Sequence, residues 1–226
     1  MGSDDLFKKR KARKNAELAR QKKDRATYTR FLIVCEGTKT EPYYLQELVN
    51  DLGIRHHTVK IAPNDGVTPD RIVAHAVKLY DEDALLGDSF DRVFCVFDRD
   101  THETFDAAVQ RISDLNGAKE PRVYEAITST PCFEYWLLLH FGFTEQPFHA
   151  AGRRSVGDQV VSALKTNPGF AKYGKGQKQT YSLVKVNTAK AITYAQRVRK
   201  NAEKTGQTNP STHVDVLVTA LKALVK

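Results

Sequence analysis

Arg92-Val93-Phe94-Cys95-Val96-Phe97-Asp98-Arg99-Asp100 is the stretch on which the fold turns. Its apolar run is continuous rather than alternating, as expected for a strand covered on both faces, and it ends abruptly in two carboxylates. Phe31-Leu32-Ile33-Val34-Cys35 has the same texture about sixty residues earlier and runs straight into Glu36-Gly37. Amphipathic stretches separate these runs, and alternation of that kind builds β-α units around a mainly parallel sheet.

Working outward, Thr40 is placed to cap a helix that tolerates Pro42 in its first turn. Tyr44, Leu45, Leu48, Val49 and Leu52 recur along it at helical spacing, and Gly53 stops it. Thr58-Val59-Lys60-Ile61-Ala62 alternates like a less buried strand, followed by turn chemistry in Pro63-Asn64-Asp65-Gly66. Helices are predicted over residues 69–86 and 105–115, with a weaker strand at Arg122-Val123-Tyr124-Glu125-Ala126. Residues 132–143, with the single Trp136, read as one strongly apolar helix. Beyond them the chain turns polar, basic and rich in Gly and Lys, with helices predicted over 156–165, 188–200 and 212–224. The expected organisation is a basic flexible arm over 1–29, an α/β core over 30–145 and a basic helical appendage over 146–226.

Charge is segregated rather than mixed. Residues 1–27 carry 10 Lys and Arg against 4 Asp and Glu, residues 28–149 carry 11 against 20, and residues 150–226 carry 14 against 3, giving +6, −9 and +11. An acidic middle between basic ends points to a polyanionic partner, because Lys and Arg that neutralise phosphates release condensed counterions. A solvated surface is the alternative, above all for the arm. The longest apolar stretch, near residues 135–143, is far shorter than the roughly 20 residues that cross a bilayer. The arm has no apolar core of the kind a secretory signal needs, so the expected compartment is the cytoplasm. Cys35, Cys95 and Cys132 show no metal spacing; two fall in apolar strands, and Cys132 is either buried structure or a thiol before a helix.

The carboxylates carry the chemistry. In a parallel sheet Glu36, Asp98 and Asp100 all project at the carboxyl edge, where open α/β folds hold ligands. Acids crowded together repel one another, and a hard divalent ion turns that cost into a binding site. Mg²⁺ or Mn²⁺ suits oxygen ligands of this kind and leaves positions for phosphate oxygens and water. Lys39 either holds a phosphate at the following helix start or faces solvent. Glu41 is a further ligand or, more simply, an acid favoured by the helix dipole. Glu134 in its apolar surroundings must be paired, protonated or coordinating, which makes it a fourth catalytic candidate beside Glu36, Asp98 and Asp100; a salt bridge to an arginine such as Arg99 is the alternative. His140 and His213 read as structural. Arg153 and Arg154, with Tyr173-Gly174-Lys175-Gly176-Gln177-Lys178, read as basic loops with a stacking aromatic, suited to a nucleic-acid backbone.

Val34-Cys35-Glu36-Gly37-Thr38-Lys39-Thr40-Glu41-Pro42, Phe97-Asp98-Arg99-Asp100, Pro131-Cys132-Phe133-Glu134-Tyr135-Trp136-Leu137-Leu138-Leu139-His140-Phe141 and Asn209-Pro210-Ser211-Thr212 resemble the RloB-like family over nearly everything after the arm. The resemblance implies a Toprim-like fold and a place in prokaryotic antiviral, abortive-infection defence beside an AAA- or ABC-type ATPase. It also implies Glu36 as general acid/base or metal ligand, with Asp98 and Asp100 as the metal-binding pair. The further acidic ligand or lysine of two-metal nucleases has no unambiguous counterpart here. The function expected is metal-dependent hydrolysis of DNA or RNA. The alternative is a catalytically silent module that binds nucleic acid or a partner.

Overall fold

The structure is a computed structural model and describes residues 29–64, 68–99, 103–117 and 122–225. The basic arm up to residue 28 lies outside the described residues, and so does Asp100. Strands β1 (Phe31–Cys35), β2 (Val59–Pro63), β3 (Arg92–Asp98) and β4 (Tyr124–Thr130) run parallel in the order β2-β1-β3-β4. A two-residue strand, β5 (Ser211–Thr212), adds antiparallel to the end of β4. Helices α1 (Thr40–Asp51), α2 (Pro69–Leu85) and α3 (Phe105–Asn116) make the crossovers. This is the mixed α/β, mostly parallel sheet flanked by helices that the sequence predicts, consistent with a Rossmann- or Toprim-like layout.

The apolar runs of β1 and β3 serve two cores because successive side chains leave opposite faces of a strand. Phe31, Ile33, Cys35, Phe94 and Val96 pack with α1 on one face. Leu32, Val34, Val93, Cys95 and Phe97 pack with α2 and α3 on the other. All three cysteines are buried and unbridged, and burial raises the Cys132 thiol well above its ordinary pKa, with Glu134 adding to the shift. A reactive thiolate at Cys132 is therefore unsupported.

Three local readings change. The apolar segment 132–143 is not one helix: α4 spans only Glu134–Leu138, and tight turns follow, His140 N–H donating to the Leu137 carbonyl and Phe141 N–H to that of Leu138. Its apolar character reflects burial at the centre of the larger core, and buried segments lose the periodicity that distinguishes helix from turn. β4 starts later and runs further than predicted, through the hydroxyl-rich Thr128-Ser129-Thr130, because β5 covers those polar groups; Ser129 Oγ and Thr212 Oγ1 are 3.0 Å apart. Thr40 is the first residue of α1 rather than its cap.

Residues 146–226, expected as an appendage, supply β5 and helices α5 (Val156–Lys165), α6 (Thr180–Val184), α7 (Thr188–Thr205) and α8 (Val214–Ala223). Val160, Val184, Ala195 and Leu217 belong to the same core as β1 and α1. An ion pair between half-buried Arg199 and buried Asp215 ties this half down: Arg199 Nη2 donates to Asp215 Oδ2 at 2.9 Å, Nη1 bonds Oδ1, and Nη1 also donates to the Thr212 carbonyl at 2.8 Å. Among the described residues no helix is long and apolar enough to cross a membrane.

Candidate functional site

β1 and β3 are hydrogen-bonded neighbours with Cys35 opposite Val96, so they end side by side. The chain leaves β1 for β2 on one side and crosses back to β3 on the other. Right-handed crossovers then send α1 and α2 to opposite faces, opening a crevice between the β1 and β3 ends. Glu36 and Asp98 meet in it. Glu36 N–H donates to the Val96 carbonyl, and Asp98 N–H donates to Glu36 Oε2, each at 2.9 Å.

A cleft of about 380 Å³ occupies the crevice, lined in part by Glu36, Lys39, Glu41, Asp98, Glu134 and Lys175. A larger hollow of about 510 Å³, beside Phe141, Phe148 and Asn167, has no carboxylate in its lining. Gly37 lets α1 start close to β1: a Cβ there would stand 2.5 Å from Glu41 Oε2. Glu41, for which the helix dipole was the simpler reading, is buried and faces the cleft.

Glu134 is 2 % exposed and has two partners: Tyr173 Oη donates to its Oε1 at 3.1 Å, and Lys175 Nζ lies 3.8 Å from its Oε2. Arg99 is not that partner, since it lies over the Phe105 ring at 4.8 Å and reaches Asp106 at 3.4 Å. The loop carrying Lys175 is tethered, because Gly176 N–H donates to Thr40 Oγ1 at 2.8 Å. Gly176 has φ +82°, where a glycine costs least. Tyr173 is buried, so the stacking role predicted for it falls; its ring fills the core and its hydroxyl holds Glu134.

Crowding shows in the protonation equilibria. Burial raises the Asp98 carboxyl well above the ordinary range, with Glu41, Glu134 and Glu36 adding to it. Burial raises Glu41 to about 7, helped by Glu134 and Glu36 and opposed by its own backbone N–H and by Lys175. Burial alone would lower Lys175, but the surrounding acids, Glu134 first, raise it on balance. Lys175 keeps 62 % of its side chain exposed, so solvent screens its pair with Glu134 and one ammonium leaves most of the acid charge unmatched.

A pH dependence follows. Glu41 binds its proton more tightly folded than unfolded, so its contribution to stability is complete below the ordinary carboxyl pKa and is lost as pH rises through about 7. In chelator-treated protein, Glu41→Gln is expected to be the more stable form at pH ~8 and to lose its advantage at pH ~4.5, by on the order of 3 kcal/mol. Thermal unfolding of both proteins across that range measures it, and parallel pH profiles would contradict it.

The donors suit a hard cation, being carboxylate oxygens with no thiolate and no imidazole lining the cleft. Among the described residues, no three His, Cys, Asp or Glu side chains are already drawn together tightly enough to hold a metal ion. Glu36 and Asp98 are the two acids joined at the strand ends, through the Asp98 backbone N–H, and Mg²⁺ and its like need only one or two carboxylates, filling the remaining positions with water and substrate oxygens.

The sequence profile described as RloB-like protein matches residues 31–221. The chain belongs to the RloB-like family. No match was found among curated proteins or solved structures. In this RloB-like chain the predicted residues Glu36, Asp98, Glu134, Lys39 and Lys175 gather at one cleft. Arg153, Arg154 and Lys178 are not in its lining. Both arginines are exposed in a turn closed by the backbone bridge between Ala151 and Arg154, and Lys178 lies over the Tyr43 ring at 5.4 Å. His140 is buried and His213 half-buried, and they bond to the Trp136 carbonyl and to Thr128 Oγ1 respectively, each at 3.0 Å. Glu41 and Tyr173 are the participants whose roles the sequence undervalued. For Glu41 a signal existed: Glu-Gly after a buried strand brings the next helix start close to the acid.

Proposed function

We propose that this RloB-like protein is a Mg²⁺- or Mn²⁺-dependent nuclease that hydrolyses phosphodiester bonds of DNA or RNA. The observation that carries the reading is Asp98 N–H bonded to Glu36 Oε2 at the switch point of the sheet, inside a cleft whose acids outnumber its cations. Glu36 and Asp98 would hold the ion, joined by Asp100 from beyond the described residues. Bound there, the ion supplies Lewis acidity toward phosphate oxygens and a lowered pKa for water.

The chain's own groups do the rest. The Asp98 N–H fixes the Glu36 carboxylate in the crevice, where it can take a proton from the attacking water as that oxygen bonds to phosphorus. The P–O bond to the leaving group breaks, and the departing alkoxide takes a proton from solvent. Glu134, held by Tyr173, pairs with Lys175 at the cleft, and Lys39 lines it beside the start of α1, so both ammonium groups can meet phosphate charge. A Toprim-like assignment, a role in prokaryotic antiviral, abortive-infection defence and an AAA- or ABC-type ATPase partner belong to the same proposal, supported by family membership.

Purified protein incubated with duplex and single-stranded DNA, RNA and tRNA in Mn²⁺ is expected to cut at least one, and chelator is expected to stop it. A silent panel, repeated with any ATPase found encoded beside it, would count against the reading. The second reading is a catalytically silent binding module, and the charge of residues 150–226, 14 Lys and Arg against 3 Asp and Glu, is the observation that favours it. Calorimetric titration with Mn²⁺ separates the two: the nuclease reading expects binding that Asp98→Asn removes, and the silent module expects none.

A further inference from the structure

Helix α7 buries Thr188, Ala191, Ala195 and Val198. At about 100° per residue these lie together on one side, and Lys190, Arg197, Lys200 and Lys204 fall nearly opposite. All four are exposed. Lys190, Arg197 and Lys204 recur every seventh residue, drifting only about 20° per step, which draws a straight basic line along about 21 Å of helix axis. Lys200 stands beside it. Among the described residues no ion pair engages any of the four.

Few acids oppose this face. Residues 150–226 contain only Asp158, Glu203 and Asp215. Asp158 is spent in the capping box of α5 with Ser155, and Asp215 is buried on Arg199. Glu203 lies well round the helix from the line, and Glu145, from the neighbouring loop, accepts from Asn201 at 2.7 Å. Helix stability explains only part of the pattern: Lys204 in the last turn suits the helix dipole, but Lys200 and Lys204 are like charges at i,i+4, which destabilise a helix, and Lys190 and Arg197 lie far from the C-terminal end. Arg197 is held in place, its guanidinium 4.0 Å over the Phe143 ring. A planar cation fixed on an aromatic face keeps its fork ready for phosphate oxygens.

We infer that the exposed face of α7 is a docking ridge for the phosphate backbone of nucleic acid, separate from the acidic cleft. It rests on the nucleic-acid reading above and names a contact surface for it. Single-signed charge spaced along one helix face suits backbone contact, which positions a strand without reading its sequence.

The test is binding of labelled duplex DNA and labelled single-stranded RNA by full-length Asp98→Asn protein, followed by anisotropy from about 50 to 200 mM salt. Lys190→Gln, Arg197→Gln, Lys200→Gln and Lys204→Gln combined are expected to flatten the plot of log affinity against log salt by about 3.6 on duplex or about 2.8 on single strands. A triple variant retaining Arg197 guards against lost packing on Phe143 and is expected to flatten the duplex slope by about 2.7. Unchanged slopes in both variants, or parent binding to anionic vesicles but not to nucleic acid, overturn the inference. Cleavage by the unsubstituted protein is scored separately. If it cuts while the slopes stay unchanged, only the ridge fails; if the ridge binds but no metal supports cutting, only the nuclease reading fails.

Discussion

Asp98→Asn is expected to lower metal-dependent cleavage by about 10²- to 10⁴-fold, the range over which one positioned acid or base and its ion matter. The same change is expected to leave the metal-free protein at least as stable as its parent. Asp98 sits where burial and three neighbouring carboxylates already oppose its charge, so a neutral isostere relieves the folded state. Loss of activity without loss of stability is the signature of a group retained for chemistry rather than for folding. Glu36→Gln is the companion, because its amide oxygen can still accept the Asp98 N–H while the charge is gone. Cleavage rates and melting temperatures of the three proteins, with and without Mn²⁺, make the comparison. Activity within about threefold of the parent in either variant would remove that residue from the mechanism.

The largest effect on stability is expected at Asp215. It is 1 % exposed and carries both arms of Arg199, which also donates to the Thr212 carbonyl in β5. Asp215→Ala leaves a guanidinium that is only 18 % exposed without its counter-ion and should cost about 3 kcal/mol, the low end for a buried pair. That is a large part of the 5–15 kcal/mol by which domains are usually stable. Replacing both partners, Arg199→Met with Asp215→Leu, should restore much of the loss, because apolar groups of similar volume avoid the desolvation that the charges incur. Urea unfolding of the single and double variants decides it. A double variant as unstable as the summed single changes would mean that the two residues act independently. Since β5 pairs with the end of β4, the Asp215→Ala protein should also lose hydrogen-exchange protection at Ser129 and Thr130 before the rest of the sheet.

These two residues mark the boundary between what is legible in the chain and what is not. Asp98 stands out because a buried parallel strand must be apolar on both faces, so the carboxylate that ends it is conspicuous in one dimension. Glu36 is legible for the same reason, and the β-α alternation places both at the carboxyl edge. Asp215 looks like an ordinary acid in the first turn of a helix, and only its packing against α7 shows it as an anchor.

The parallel core of the sheet, the acids at the ends of β1 and β3 and the polarity of the cleft could be read from the chain alone, because strand burial and helix amphipathicity are written in residues close together along it. Tertiary structure alone decided the rest: that the C-terminal half completes the sheet, that Tyr173 and Lys175 close on Glu134, and that α7 turns its lysines outward. Those outcomes depend on contacts between segments far apart in sequence, as Glu134 and Tyr173 are, at a separation of 39 in sequence. Local periodicity carries no record of which distant group will satisfy a buried charge.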